Sequence, residues 1–183
     1  MSVFSIKAFL RRFRDDTRGT VAVESIIMLP LLFWSVMAMY AFSDAFRQAS
    51  LNVKASYTIG DLLSRETNYI TDTYLSTTHD LFDLMTDSRS ASKLRVTVVR
   101  WNESKNIYQR DWSKTKGGVA ELSNSDVKNM ANKLPEMPNN ERVIVVETWA
   151  RYYPPFNVGL EEQDLYNFVF TRPRFAPQLV WKD

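Results

Sequence analysis

Glu24 is the only charged residue between Gly19 and Asp44, and it stands at the mouth of an apolar run, Ser25–Ser43, that contains no Asp, Glu, Lys or Arg. A carboxylate carried into hydrocarbon costs about 2.5–3.5 kcal/mol on insertion scales. An acid here therefore points either to a partner that neutralises it or to a headgroup boundary that solvates it. Five residues earlier, Gly19 closes a basic stretch. A residue without a β-carbon lets another backbone approach closely, although Gly19 also suits a helix start after Thr17-Arg18. An expensive carboxylate at a fixed offset from a glycine suggests a dedicated role.

The rest of the chain offers little chemistry. His79 is the only histidine and there is no cysteine, so a nucleophile–base pair would have to use that one imidazole, and no thiolate can hold a metal. Asp80, Asp83 and Asp87 share one helix face at i, i+3 and i+7, but the loop spacing of an EF-hand is absent, and they read as a solvated face. Lys116-Gly117-Gly118 lacks the Lys-Ser/Thr that completes a phosphate-binding loop. Arg172 and Arg174 flank Pro173 and are candidate contacts for lipid headgroups or a partner. The chain is read as a non-enzyme without cofactor, metal ion or small-molecule substrate.

These residues are positioned by a membrane-length segment. The 19 residues of Ser25–Ser43 span roughly 28 Å as a helix, close to the ~30 Å hydrocarbon core. Pro30 can be absorbed as a bend. Residues 1–19 carry Lys7, Arg11, Arg12, Arg14 and Arg18 against Asp15 and Asp16, a net +3 that keeps the N-terminus cytoplasmic and sends the rest outward. A cleaved secretory signal fits less well, because the apolar core is too long and Ala41-Phe42-Ser43 is a poor small-x-small site. A buried helix of a soluble domain would show polar positions on one face. Overall net charge is +2, so the part after Gly19 sums to −1 and gives no support to nucleic-acid binding.

The expected organisation is a basic leader over 1–19, a transmembrane helix over 20–45 and a periplasmic α+β domain over 46–183. Phe46, Ala49, Val53, Tyr57, Gly60 and Leu63 recur at helical spacing and predict that the helix continues beyond the membrane, apolar stripe inward. A second helix is expected over roughly Tyr69–Thr86, with Ile70, Tyr74, Leu81, Phe82 and Met85 as its apolar side. The period then changes. Leu94–Trp101 and Ile107–Trp112 read as a hairpin around Asn102–Asn106, and Lys114–Glu121 as a loop. Ser123 or Ser125 can cap a short helix through Leu134. Val143–Trp149 and Leu165–Thr171 supply two more strands, with Tyr152-Tyr153-Pro154-Pro155 leaving the sheet. The fold class is α+β: a long pilin-like N-terminal helix, a second helix, then a small antiparallel sheet of about four strands with one short helix. The aromatic residues that crowd the second half are read as mostly core.

Four segments together resemble a family. They are Arg18-Gly19-Thr20-Val21-Ala22-Val23-Glu24 with Leu29-Pro30, then Ser56–Arg65, then Val146–Pro154, and last Thr171-Arg172-Pro173-Arg174. Their order and spacing are similar to those of TadE-like proteins, the minor pilins or pseudopilins of the Tad (tight adherence, Flp pilus) apparatus of Gram-negative bacteria. Ser25 departs from the Phe or Tyr that many relatives carry after the glutamate.

The resemblance implies cleavage by a prepilin peptidase between Gly19 and Thr20. Glu24 would then accept a charge-assisted contact from the new Thr20 α-amine of an adjacent subunit. It implies an inner-membrane, single-pass protein with other Tad minor pilins and pilus assembly proteins as partners. Two alternatives stay open: an uncleaved periplasmic scaffold of the same machinery, and a membrane-tethered periplasmic hydrolase.

Overall fold

The computed structural model describes residues 6–15, 19–87 and 92–182. Thr17 and Arg18, which enter the readings of Gly19 above, lie outside them. The chain divides into two units, Met1–Ser43 with Pro155–Leu160, and Asp44–Pro154 with Glu161–Asp183.

The first unit holds helix α1 (Ile6–Asp15) and the beginning of helix α2 (Thr20–Arg65). α2 is continuous through Pro30. Ser25 and Ser35 donate to the carbonyls of Val21 and Leu31, four residues back, which satisfies their hydroxyls inside an otherwise apolar helix. Within the same unit the ring of Tyr40 meets that of Phe156 edge-on at 5.9 Å.

The second unit is α+β. It contains the rest of α2, helix α3 (Asp72–Thr86), the short helix α4 (Asn124–Asn129) and strands β1 (Lys93–Asn102), β2 (Ile107–Lys116), β3 (Arg142–Tyr152) and β4 (Gln163–Thr171). The strands form one antiparallel sheet in the order β2-β1-β3-β4. Both faces are covered, which explains the nearly continuous burial of the central strands β1 and β3. On one face Ala55, Ile59 and Leu63 of α2 and Leu75 and Phe82 of α3 pack on Leu94, Val96, Val98, Ile144, Val146 and Ala150. On the other, Leu122, Val127, Leu134 and Met137 cover Val99, Val143 and Val145.

Local chemistry sets the element ends. Thr71 caps α3 by accepting from the Tyr74 amide, and Asp87 closes it in the left-handed region with φ 49°. Ser123 is the cap of α4 and forms a reciprocal capping box with Asp126. That bonding holds the Asp126 carboxyl below its ordinary value.

Several boundaries differ from the sequence expectation. α3 starts at Asp72, where its cap stands. α4 ends at Asn129 and a separate 3-10 turn, Ala131–Lys133, follows. β2 runs on to Lys116, polar because it is an edge strand, so the loop begins at Gly117. A bulge opposite Val98/Val99 leaves Asp111 unpaired and disturbs the alternation there. β3 keeps Tyr152 in the sheet, and the chain leaves at Tyr153.

The expected stripe of α2 is met in part: Gly60 and Leu63 are buried, but Phe46, Val53 and Tyr57 are not. The helix's buried face is Asn52, Ala55, Ser56, Ile59, Gly60, Leu63 and Ser64, whereas Phe46 and Tyr57 are 73% and 61% exposed and Val53 also faces out. Small residues let the helix lie close to the sheet: Ser56 Oγ meets Thr148 Oγ1 at 2.7 Å. Of the crowded aromatics, Tyr108 and Tyr152 are buried and Trp112 and Trp181 pack on the core, but Tyr166, Phe170 and Phe175 are exposed.

Candidate membrane-anchor and processing segment

Gly19 directly precedes α2, and Thr20 is the helix's first residue. A β-carbon added at Gly19 would meet no atom within 4 Å, and its backbone does not lie in the left-handed region. Neither crowding among the described residues nor backbone conformation requires glycine there. Glu24 follows Thr20 by one helical turn, on the same face of α2, and is exposed.

Beyond Glu24 the helix is apolar and bare. It is long and apolar enough to cross a membrane, and none of its most apolar 18-residue window is buried. A core helix would have hidden that surface against its own domain. Ile26, Leu29, Leu32, Phe33 and Trp34 are each more than half exposed, a contiguous apolar patch of the kind that marks a membrane or protein contact. The chain therefore carries a segment compatible with a single-pass anchor.

The other sequence candidates fall elsewhere in the fold. Arg172 pairs with Glu141 at 3.0 Å and Arg174 with Asp61 at 3.2 Å, each guanidinium remaining about half exposed. The Arg174 amide donates to the Ser64 carbonyl at 2.7 Å and so satisfies one open acceptor at the end of α2. Lys116 is taken up by both carboxylate oxygens of Asp72 at 2.8 Å. Gly117 has φ 79°, and a β-carbon there would lie 2.2 Å from the Ser92 carbonyl oxygen, so this glycine serves a turn.

His79 Nε2 lies 2.9 Å from Ser92 Oγ and 3.1 Å from the Ser92 carbonyl. The first distance has the form of a nucleophile–base pair, but Ser92 has no accessible surface. A ring nitrogen that donates to the carbonyl cannot at the same time accept the hydroxyl proton. The contact ties α3 to the start of β1. Among the described residues no group of three or more His, Cys, Asp or Glu is placed to hold a metal ion, the face of Asp80, Asp83 and Asp87 included.

Two polar clusters escaped the sequence reading. Glu147, nearly fully buried on β3, accepts from Arg95 and from the Tyr166 hydroxyl at 2.8 Å. Although Tyr166 as a residue is exposed, its hydroxyl reaches the buried Glu147, and desolvation there together with that bond pushes the phenol above its ordinary value. The signal available was Glu147 inside an apolar strand, which demands a cation on a neighbouring strand. The second is a small polar cavity lined by Asp44, Gln48, Asn52, Thr86 and Tyr152, where Tyr152 donates to Asp44 at 3.3 Å. Compared with protein-family models, with curated proteins and with solved structures, the chain matches none.

Proposed function

We propose that this chain is a TadE-like minor pilin or pseudopilin that takes part in assembling Tad/Flp-type pili, and not an enzyme. The observation that carries the reading is a glycine directly before α2 paired with a lone carboxylate one turn into it. Among the described residues nothing crowds a β-carbon at Gly19, and Glu24 is the only charge before Asp44. Access to the Gly19–Thr20 bond by a prepilin peptidase, followed by pairing of Glu24 with the freed Thr20 amine of a neighbouring subunit, accounts for both. The length and apolarity of α2 support a place in a membrane; in this reading the membrane is the bacterial inner membrane, with the N-terminus cytoplasmic, the α+β domain periplasmic and other Tad minor pilins and assembly proteins as neighbours.

Intact mass of the protein, co-expressed with a Tad prepilin peptidase, tests this. Loss of residues 1–19 is expected, and Gly19→Val should abolish it by placing a branched side chain at the scissile bond. An uncut chain would instead make the protein a permanently anchored scaffold. A mature end near Asp44 would indicate ordinary signal peptidase and sink both readings.

A further inference from the structure

The basic leader is more than a string of charges. Its residues 6–15 form helix α1, about 15 Å long at 1.5 Å per residue. At 100° per residue, positions 6, 9, 10 and 13 fall on one face, and these are Ile, Phe, Leu and Phe. Positions 7, 11, 12 and 14 fall off that face, and all four are Lys or Arg. Arg11, Arg12 and Arg14 are exposed, and Phe13 is 77% exposed. A ten-residue helix has little stability of its own in water, so an apolar face of this kind calls for a surface to cover it.

The tether identifies that surface. Four residues, 16–19, separate α1 from α2, and even fully extended they reach only about 15 Å. If the apolar part of α2 spans the bilayer, the near end of α1 is held to about that distance from the start of α2, and hydrocarbon is the apolar phase within reach. The cationic positions match anionic headgroups, each worth about fivefold in binding near a charged leaflet.

We infer that α1 lies along the cytoplasmic leaflet as an interfacial helix, its apolar face in the acyl boundary and its Arg and Lys residues on anionic lipid headgroups. This rests on the membrane-anchor reading of α2. While the leader is attached, the surface helix holds the Gly19–Thr20 bond at headgroup level, and cleavage there would discard the surface anchor together with its positive charge.

Because the chain has no cysteine, single-cysteine reporters can be placed in the full-length protein. Phe13→Cys on the apolar face and Ala8→Cys off it would carry an environment-sensitive fluorophore, in phosphatidylcholine vesicles with and without phosphatidylglycerol. The label at 13 should be blue-shifted and shielded from aqueous quencher in the anionic vesicles, and the label at 8 should not. Replacing Arg11, Arg12 and Arg14 by Gln in turn should reduce the ratio of shielded to exposed label about fivefold per cation. A label at 13 that remains in water in both lipids, or is shielded equally in neutral vesicles and with all three arginines replaced, overturns the inference. Val36→Cys reports separately on α2: a water-exposed label there would mean that the anchor reading itself has failed.

Discussion

Arg95 and Glu147 grip each other across neighbouring strands: Nε lies 2.7 Å from Oε2 and Nη2 lies 2.8 Å from Oε1, with the two side chains 13% and 3% exposed. Arg95 also donates to the Ala120 carbonyl and sits 5.1 Å from the Trp149 ring centre. Removing one member strands a charge in the interior. Arg95→Leu should therefore destabilise the domain by about 3–5 kcal/mol, while an Arg95→Leu/Glu147→Leu double variant should lose much less than the sum. Urea denaturation of the four-member cycle measures this. Additive losses would show that the pair is not coupled.

Two glycines should respond in opposite directions. A β-carbon at Gly60 would meet Val169 Cγ1 at 3.5 Å and Thr171 Cγ2 at 3.8 Å, ordinary contacts, inside a helix. Gly60→Ala should stabilise by about 0.4–1 kcal/mol through the unfolded chain. Gly117→Ala should destabilise by more than that, because of the positive φ and the backbone clash with Ser92. Thermal unfolding of both variants decides, and equal shifts in either direction would contradict the geometry.

The Glu66 carboxylate, which accepts from the Thr67 and Asn68 amides, lies close enough to the Tyr74 phenol of α3 for its charge to act on it. Burial first, and the Glu66 charge second, push the Tyr74 phenol up to about 12. A phenol raised in the folded state contributes stability that is complete below pH 10 and fades between about pH 10 and 12. Ultraviolet titration should show late-ionising tyrosines, Tyr74, Tyr108 and Tyr166 among them, and Glu66→Gln should move only the Tyr74 share part of the way back. For Glu66, backbone bonding to Asn68 is the leading cause of a lowered carboxyl. Its contribution is present at neutral pH and lost as pH falls through the folded value, so wild type and Glu66→Gln should converge in acid. A constant stability gap from neutral to acid pH would refute this.

Charge, not shape, is the test at Glu24. Glu24→Gln keeps a hydrogen-bonding side chain and costs less to insert. The variant should enter the membrane and lose its leader, yet fail to support pili or to co-purify with other minor pilins. Wild-type piliation at wild-type protein level would leave Glu24 no more than a headgroup-facing carboxylate.

The long helix, the second helix and the four strands were legible because each has a strong period, and Leu94–Trp101 and Val143–Trp149 predicted the two central strands directly. Helix phase was harder to read. Phe46, Val53 and Tyr57 look like a core stripe by hydrophobicity alone, but of the expected stripe the sheet kept Gly60 and Leu63 and added Ser56 and Ser64, whose value is their small size and not their apolarity. At the candidate site, Gly19 and Glu24 stand out by type and spacing, and the structure adds that no described residue crowds a β-carbon at the glycine. The Arg95–Glu147 pair was hidden because register between distant strands has no local signal. Arg172 and Arg174 read as candidate lipid or partner contacts, because an irregular tail carries no period that would point to Glu141 and Asp61.

That tail has a consequence for the order of events during synthesis. The Arg174 amide closes on Ser64, the Ile70 amide and carbonyl are taken by Val180 and Lys182, and the Trp112 indole donates to Leu179. Ser64 leaves the ribosome about 110 residues before Arg174, an interval of roughly 6–20 s at 5–20 residues per second. Throughout that time the end of α2 lacks its seal and Ile70 lacks its bridge. The helix that is made early is thus fastened by a strap that is made late, and the domain can lock only once Lys182 has been made and is free to reach Ile70.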